Sequence, residues 1–270
     1  MNCKYFTQLL TIIDSRRKAG IIVLILTIKT GGIVMSKKVT GTCALCGKTI
    51  KLSFEHIPDK KAGNSEPVKT LDGNTIFKNG YNYINNQKGS GGYYLCEDCN
   101  NKTGSWYGVY YNDFSNKISM HINDIMEKRI NTVEIEHIYP LRIIKQICSM
   151  FCSINRNDSR IDTLIKFVMN KEANDINPLK YRILLEFTNS EEFIYIGLHD
   201  ECDICFRDDA SAVLHKEYLV SELILKPLKF TLLLNPVPEA EYNGDITFFS
   251  KFKYNEQTDL SIPIKGDMNV

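Results

Sequence analysis

Two close cysteine pairs, Cys43-x-x-Cys46 and Cys96-x-x-Cys99, constrain this 270-residue chain more than any other feature. A CxxC turn puts both sulfurs on one side, at a spacing suited to two corners of a tetrahedron ~2.3 Å from a zinc ion. Two such pairs complete a closed structural site. Gly47, directly after Cys46, lets backbone amides turn toward the sulfurs. The reading is therefore one shared Zn²⁺ held by Cys43, Cys46, Cys96 and Cys99, whose binding contributes much of the folding free energy of its surroundings. Because 49 residues separate Cys46 from Cys96, two separate half-sites remain the alternative.

The nine cysteines form an odd set, which with the CxxC spacing fits metal ligands in a reducing compartment better than a secreted disulfide framework. A cytoplasmic location is the expectation. Cys202-x-x-Cys205, with His199 and His215 nearby, is a weaker second zinc pattern, and cysteines in a β-turn without a ligand are the plainer reading. Cys148 and Cys152 lie one helical turn apart among apolar neighbours and read as core.

Hydrophobic content of 43% and charged content of 24% are those of an ordinary globular protein. The net charge of +1 excludes a global basic field. Its distribution is uneven: from Ser36 to Tyr110 ten lysines face six acids, whereas residues 111–270 are net acidic. On charge alone, the lysine-rich segment is as well read as a solvated face as a nucleic-acid footprint. Residues 1–34 place Arg16-Arg17-Lys18 before a short apolar run from Ile21 to Ile28. That run is far shorter than the ~20 residues that span a bilayer, and Met35-Ser36-Lys37-Lys38 opens a polar segment as a cytosolic start would. The expectation is a leader of doubtful relevance and no membrane partner.

Elements follow from periodicity. Thr49–Phe54 and Gly91–Leu95 read as strands, and a helix begins near Glu97-Asp98, whose carboxylates suit a helix N-terminus. Residues 58–92 read as a long surface excursion with a small hairpin around Asp72-Gly73. Helices are expected over 138–154 and 162–169, and strands over 181–187, 193–198, 218–225, 230–234 and 246–254. The fold class is α+β: a zinc-stapled module over 35–112, then an α+β region of helices and antiparallel strands over 113–270.

Phe54-Glu55-His56-Ile57-Pro58 follows the first knuckle and its strand, and Asn100 directly follows the last cysteine. This arrangement resembles the HNH (ββα-metal) endonucleases, specifically those with a CxxC…[DE]H…CxxCN frame. The resemblance covers roughly residues 43–110. It implies a hairpin and helix holding one catalytic Mg²⁺ or Mn²⁺, with Glu55 and Asn100 as its ligands and His56 as the general base. The implied reaction is hydrolysis of DNA phosphodiester bonds, in a setting such as prokaryotic defence or a mobile element. The chemistry is coherent: an imidazole with a pKa near 6.5 suits deprotonation of water, and carboxylate and amide oxygens suit a hard cation. The family's middle asparagine, which pins the hairpin loop, should lie shortly before the second strand. Glycines 89, 91 and 92 stand there, and Asn82, Asn85 and Asn86 are the candidates. Lys102 and Thr103, early in the expected helix, are placed to contact a phosphate. Trp106, Tyr107, Tyr110 and Tyr111 read as packing that helix against the appended region, with base stacking as the alternative. Glu136-His137, which has no knuckles around it, is taken as a chance repeat of the Glu-His pair. The rival from another class is a non-catalytic zinc-binding module that interacts with nucleic acid or protein. Oligomeric state is not legible in the sequence.

Overall fold

The computed structural model describes residues 39–72, 83–127, 129, 130, 132–188, 190, 192–206, 212–238 and 240–263, without side chains over 201–218. The leader, the tip of the Asp72-Gly73 hairpin, and the side chains of Cys202, Cys205 and His215 lie outside them. The chain divides into two compact units, and the larger, Val39–Glu201 with Tyr218–Val270, holds the core and the candidate site.

The class is mixed α+β. A three-stranded sheet is ordered β1 (Thr40–Thr42), β2 (Thr49–His56), β5 (Gly91–Cys96). The turn between β1 and β2 carries the first cysteine pair. β2 and β5 are antiparallel, and their register shifts between Ser53 and Glu55. There β5 sets Tyr93 and Tyr94 opposite Phe54 alone, a β-bulge that sharpens the local twist.

Cys96 ends β5 and is also the N-cap position of helix α1 (Glu97–Thr103), whose first turn carries Glu97 and Asp98 as expected. The helix runs on through a π-helical turn, Gly104–Gly108, into α2 (Val109–Met120). Tyr107 and Tyr111 are buried, and Trp106 and Tyr110 pack partly against the core.

A six-stranded sheet forms a second layer, ordered β4 (Tyr83–Asn86), β3 (Val68–Asp72), β8 (Glu192–Phe206), β9 (Ala212–Leu225), β10 (Leu228–Leu234), β7 (Tyr181–Phe187). β3 pairs with β8 in parallel, Lys69 against Glu192 through Asp72 against Tyr195. The segment after Pro58, read from sequence as a surface excursion, thus contributes two strands to this sheet. Its Gly, Asn and Lys content hides the strands because β3 has only Val68 and Leu71 as apolar residues. β6 (Thr132–Ile138) and β11 (Thr258–Pro263) form a separate ribbon.

After the short α3 (Ile122–Met126), α4 (Pro140–Ile154), all fifteen of whose residues are buried, lies between the layers beside α5 (Asp162–Met169). A helix buried all round needs internal partners for its polar groups; Gln146 Oε1 and Ser149 Oγ have none among the described residues, but its two cations do. Arg142 lies 4.1 and 3.9 Å from the ring centroids of Tyr110 and Tyr254, with Nε donating to the Tyr254 carbonyl at 2.7 Å. Lys145 Nζ donates to the carbonyls of Phe167 (2.5 Å) and Asn170 (2.8 Å) at the end of α5. Asn155, just past α4, donates to Ser221 Oγ at 2.9 Å and accepts from the Leu198 amide at 2.7 Å, tying the helix to β8 and β9. Cys148 and Cys152 are fully buried, as expected of core residues.

One expected strand is absent. Within residues 246–254 a 3-10 helix forms over Thr247–Lys251 instead. Asp245 Oδ1 accepts the Thr247 amide at 2.8 Å, and the Phe249 amide reaches the Ile246 carbonyl at 2.9 Å, a local cap that competes with strand pairing. No helix among the described residues is long and apolar enough to cross a membrane.

Candidate metal centre and the adjoining hairpin

Cys43, Cys46, Cys96 and Cys99 converge: their four sulfurs all lie within 4.8 Å of one another. Cys46 Sγ and Cys96 Sγ are 3.9 Å apart, close to the ~3.8 Å edge of a tetrahedron with 2.3 Å metal–sulfur bonds. The 49-residue gap is closed by the β2–β5 pairing, which brings the second pair beside the first. Gly47 takes φ 69°, and its amide donates to the Cys43 carbonyl at 3.0 Å, closing the knuckle. The Cys96 amide donates to Cys43 Sγ at 3.3 Å. The Cys99 thiol, followed by the amides of Cys46, Cys96 and Leu45, holds the Cys43 thiol down at about 4, against desolvation. The same contact and burial push Cys99 up, and burial pushes up Cys46. Such a set, with amides aimed at a thiolate and the remaining thiols crowded by it, is chemically fitted to a soft or borderline cation. The four cysteines could hold a metal ion such as zinc.

The other expected site residues are spread over two faces of β2. Successive side chains on a strand alternate, so Ser53 and Glu55 share one face while Phe54 and His56 share the other. Glu55 is 5% exposed, and its Oε2 accepts the Ser153 hydroxyl of α4 at 2.8 Å. Burial pushes its carboxyl up to about 8, against the Ser153 hydrogen bond. His56 is half-buried, and its Nε2 is 3.2 Å from the Lys88 carbonyl. A carbonyl only accepts, so Nε2 carries the hydrogen and Nδ1 keeps its lone pair. Burial, then the nearby Lys60 charge, lower the His56 pKa, which keeps the ring neutral near pH 7. Asn100 Nδ2 donates to Ser53 Oγ (3.2 Å) and the Phe54 carbonyl (3.4 Å), orienting Oδ1 as the amide's remaining acceptor. Asn100 and Glu55 thus flank Ser53 on one face, and His56 looks out from the other. The β2–β5 pairing continues past Glu55 to His56 opposite Gly91, and the Ile57 amide reaches the Ser90 carbonyl at 3.0 Å.

Lys102 and Thr103 have intramolecular partners within the helix. Lys102 pairs with Asp98 at 2.8 Å, and buried Thr103 donates to the Cys99 carbonyl at 3.0 Å. His199 Nδ1 lies 2.9 Å from the Gly197 carbonyl.

Asn64 is the residue the sequence reading missed. It is fully buried, and its Nδ2 donates to the carbonyls of Pro58 (2.6 Å) and Ser90 (2.7 Å) while Oδ1 accepts the Ser90 amide at 2.6 Å. It pins the exit of β2 to the entrance of β5 from the opposite end of the connecting loop. Gly89 makes this possible: at φ 83°, a Cβ there would stand 1.9 Å from the Asn64 carbonyl oxygen. Gly91 is needed for a similar reason, since its Cβ would meet the Glu55 carbonyl oxygen at 1.9 Å. The glycines that displace the expected asparagine are the clue that another chain segment approaches there. Among the candidates, Asn86 donates to Thr70 Oγ1 at 2.8 Å within the β3–β4 pair, and Asn82 lies outside the described residues.

Comparison with family models, curated proteins and solved structures gives no match.

Asn64→Ala strands one amide and two carbonyls, so the unfolding free energy should fall by at least about 2 kcal/mol in urea titration. Amide exchange at Ser90 should accelerate alongside. A change below about 0.5 kcal/mol would remove the pin from the structure's support. Glu55 gives a pH signature. Its carboxyl rises from an ordinary 4.5 to about 8, so across that range the unfolded chain has shed the proton that the folded chain keeps. Stability from this group is complete below 4.5 and drains away as pH rises through 8. Glu55→Gln should therefore melt higher than the parent at pH 8, with the gap narrowing toward pH 5; a pH-independent gap contradicts the buried, protonated carboxyl.

Proposed function

We propose that this chain is a metal-dependent nuclease of the HNH (ββα-metal) type, hydrolysing DNA phosphodiester bonds with a zinc-clasped hairpin and helix as its active module. The observation that carries the reading is His56. It stands at the end of β2 with Nε2 engaged by the Lys88 carbonyl, a lowered pKa and an Nδ1 that keeps its lone pair. A neutral, oriented imidazole is what proton abstraction from an attacking water requires.

Asn100 supports the reading from the neighbouring face. Its amide nitrogen is bound by Ser53 and Phe54, which leaves the oxygen for a hard cation. Mg²⁺ or Mn²⁺, when bound, would neutralise the scissile phosphate and the leaving oxygen. Glu55, the second proposed ligand, must turn its carboxylate away from Ser153 and give up its proton to serve. The surplus of lysines over acids between Ser36 and Tyr110 favours approach of a polyanion.

The burial of Glu55 against Ser153 favours the second reading, a zinc-binding module that contacts nucleic acid or protein without catalysis. Supercoiled plasmid with Mg²⁺ or Mn²⁺ separates the two. The nuclease reading expects nicking that drops by about 100-fold or more in His56→Ala, with zinc content unchanged. Zinc retained with no nicking under either cation leaves the second reading in place.

A further inference from the structure

We infer that Phe54 and Tyr93 form a stacking platform for an unpaired nucleobase beside His56, so that the strand acted on is engaged as single-stranded nucleic acid. The inference rests on the proposed nuclease reading for its setting, but its evidence is separate.

Large aromatic rings on a small sheet ordinarily face inward. Phe54 and Tyr93 instead remain 42% and 40% exposed, whereas Tyr107 and Tyr111 of the same module are buried and Tyr94, Trp106 and Tyr110 partly so. The β-bulge is the cause of their meeting: two β5 residues oppose one on β2 at Phe54, and Tyr93 comes to lie 5.4 Å from the Phe54 ring at 82°. Phe54 in turn lies 4.9 Å from the His56 ring at 72°. Two aromatic rings thus run in series to the histidine. Each edge-to-face contact covers one face of one ring and leaves the opposite face uncovered by it, and an exposed π-face is what an unstacked base occupies.

The surroundings suit the strand that such a base belongs to. Arg156, exposed at the end of α4, donates from Nη1 to the Tyr93 carbonyl at 3.2 Å, which fixes a guanidinium beside the platform. Lys60 is close enough to depress the His56 pKa, and exposed Lys88 supplies the carbonyl that orients His56. Asp59 is the opposing acid near His56, and its Oδ1 already accepts from Asn112 at 2.9 Å and from the Lys61 amide at 3.0 Å. Aromatic faces interleaved with cations are the pattern of sequence-tolerant single-strand binding. Bases paired within a duplex keep their faces stacked on one another, so a duplex can use the cations alone.

The test is binding of the full-length zinc-loaded protein, without added divalent cation, to a fluorescein-labelled twelve-residue thymidine oligomer, an abasic oligomer of equal charge, and a duplex. The expected result is tighter binding of the thymidine oligomer than of either other probe. Phe54→Leu with Tyr93→Leu, which keeps apolar bulk but removes both rings, should weaken that binding about tenfold or more while duplex binding stays within about twofold. Phe54→Trp should preserve it and report contact through quenching of tryptophan fluorescence by the thymidine oligomer but not the abasic one. Equal affinity for the abasic oligomer, preference for duplex, or an unchanged leucine double variant overturns the platform. Plasmid nicking is scored separately: nicking with no base-dependent binding sinks the platform alone, and base-dependent binding without nicking upholds it while the nuclease reading fails.

Discussion

Four cysteine sulfurs within 4.8 Å of one another are the constraint on which the candidate site depends. At that separation several thiolates cannot coexist without a cation, and several thiols leave buried polar hydrogens poorly placed. The pairs come from distant segments, so whatever joins them also joins the elements they sit on: the turn after β1, the end of β5 and the first turn of α1. Cys96 serves as strand end and helix cap at once, so the angle between hairpin and helix is fixed where the sulfurs meet.

From that clasp the remaining geometry is inherited. β5 carries the bulge that turns Tyr93 toward Phe54, and α1 sets Asn100 against Ser53 and the Phe54 carbonyl. At the far end of the hairpin, Asn64 does by hydrogen bonding what the cysteines do by clustering, locking Pro58 to Ser90. His56 sits between the two locks. Behind them α4 seals the inner face of β2 with Ser153 against Glu55, which gives the hairpin a dry side and a wet side with different chemistry on each.

Much of this was legible in the chain. The cysteine spacing announces a shared site, and β5, α1, α4, α5 and β7 follow from alternation, helix N-terminal acids and apolar periodicity. What escaped has physical reasons. β3 is stabilised by its pairing with β8 across more than a hundred residues, a long-range contact that its own polar composition does not advertise. The segment around Phe249 turns into a 3-10 helix because Asp245 caps it locally. Asn64 is not signalled by a pattern that puts the loop pin next to the second strand, whereas Gly89 admits one from the opposite end of the loop. The separation of Glu55 and His56 onto two faces follows from strand alternation, since both remain paired, Glu55 with Gly92 and His56 with Gly91.

The four-cysteine clasp can be measured directly. X-ray absorption at the zinc edge of the protein as purified, with metal analysis on the same sample, reads both occupancy and ligand type. One zinc per chain with four sulfur neighbours at ~2.3 Å is the predicted result, lost in Cys96→Ser together with the folded hairpin. A folded protein without bound metal, or a zinc shell with fewer than four sulfurs, contradicts it.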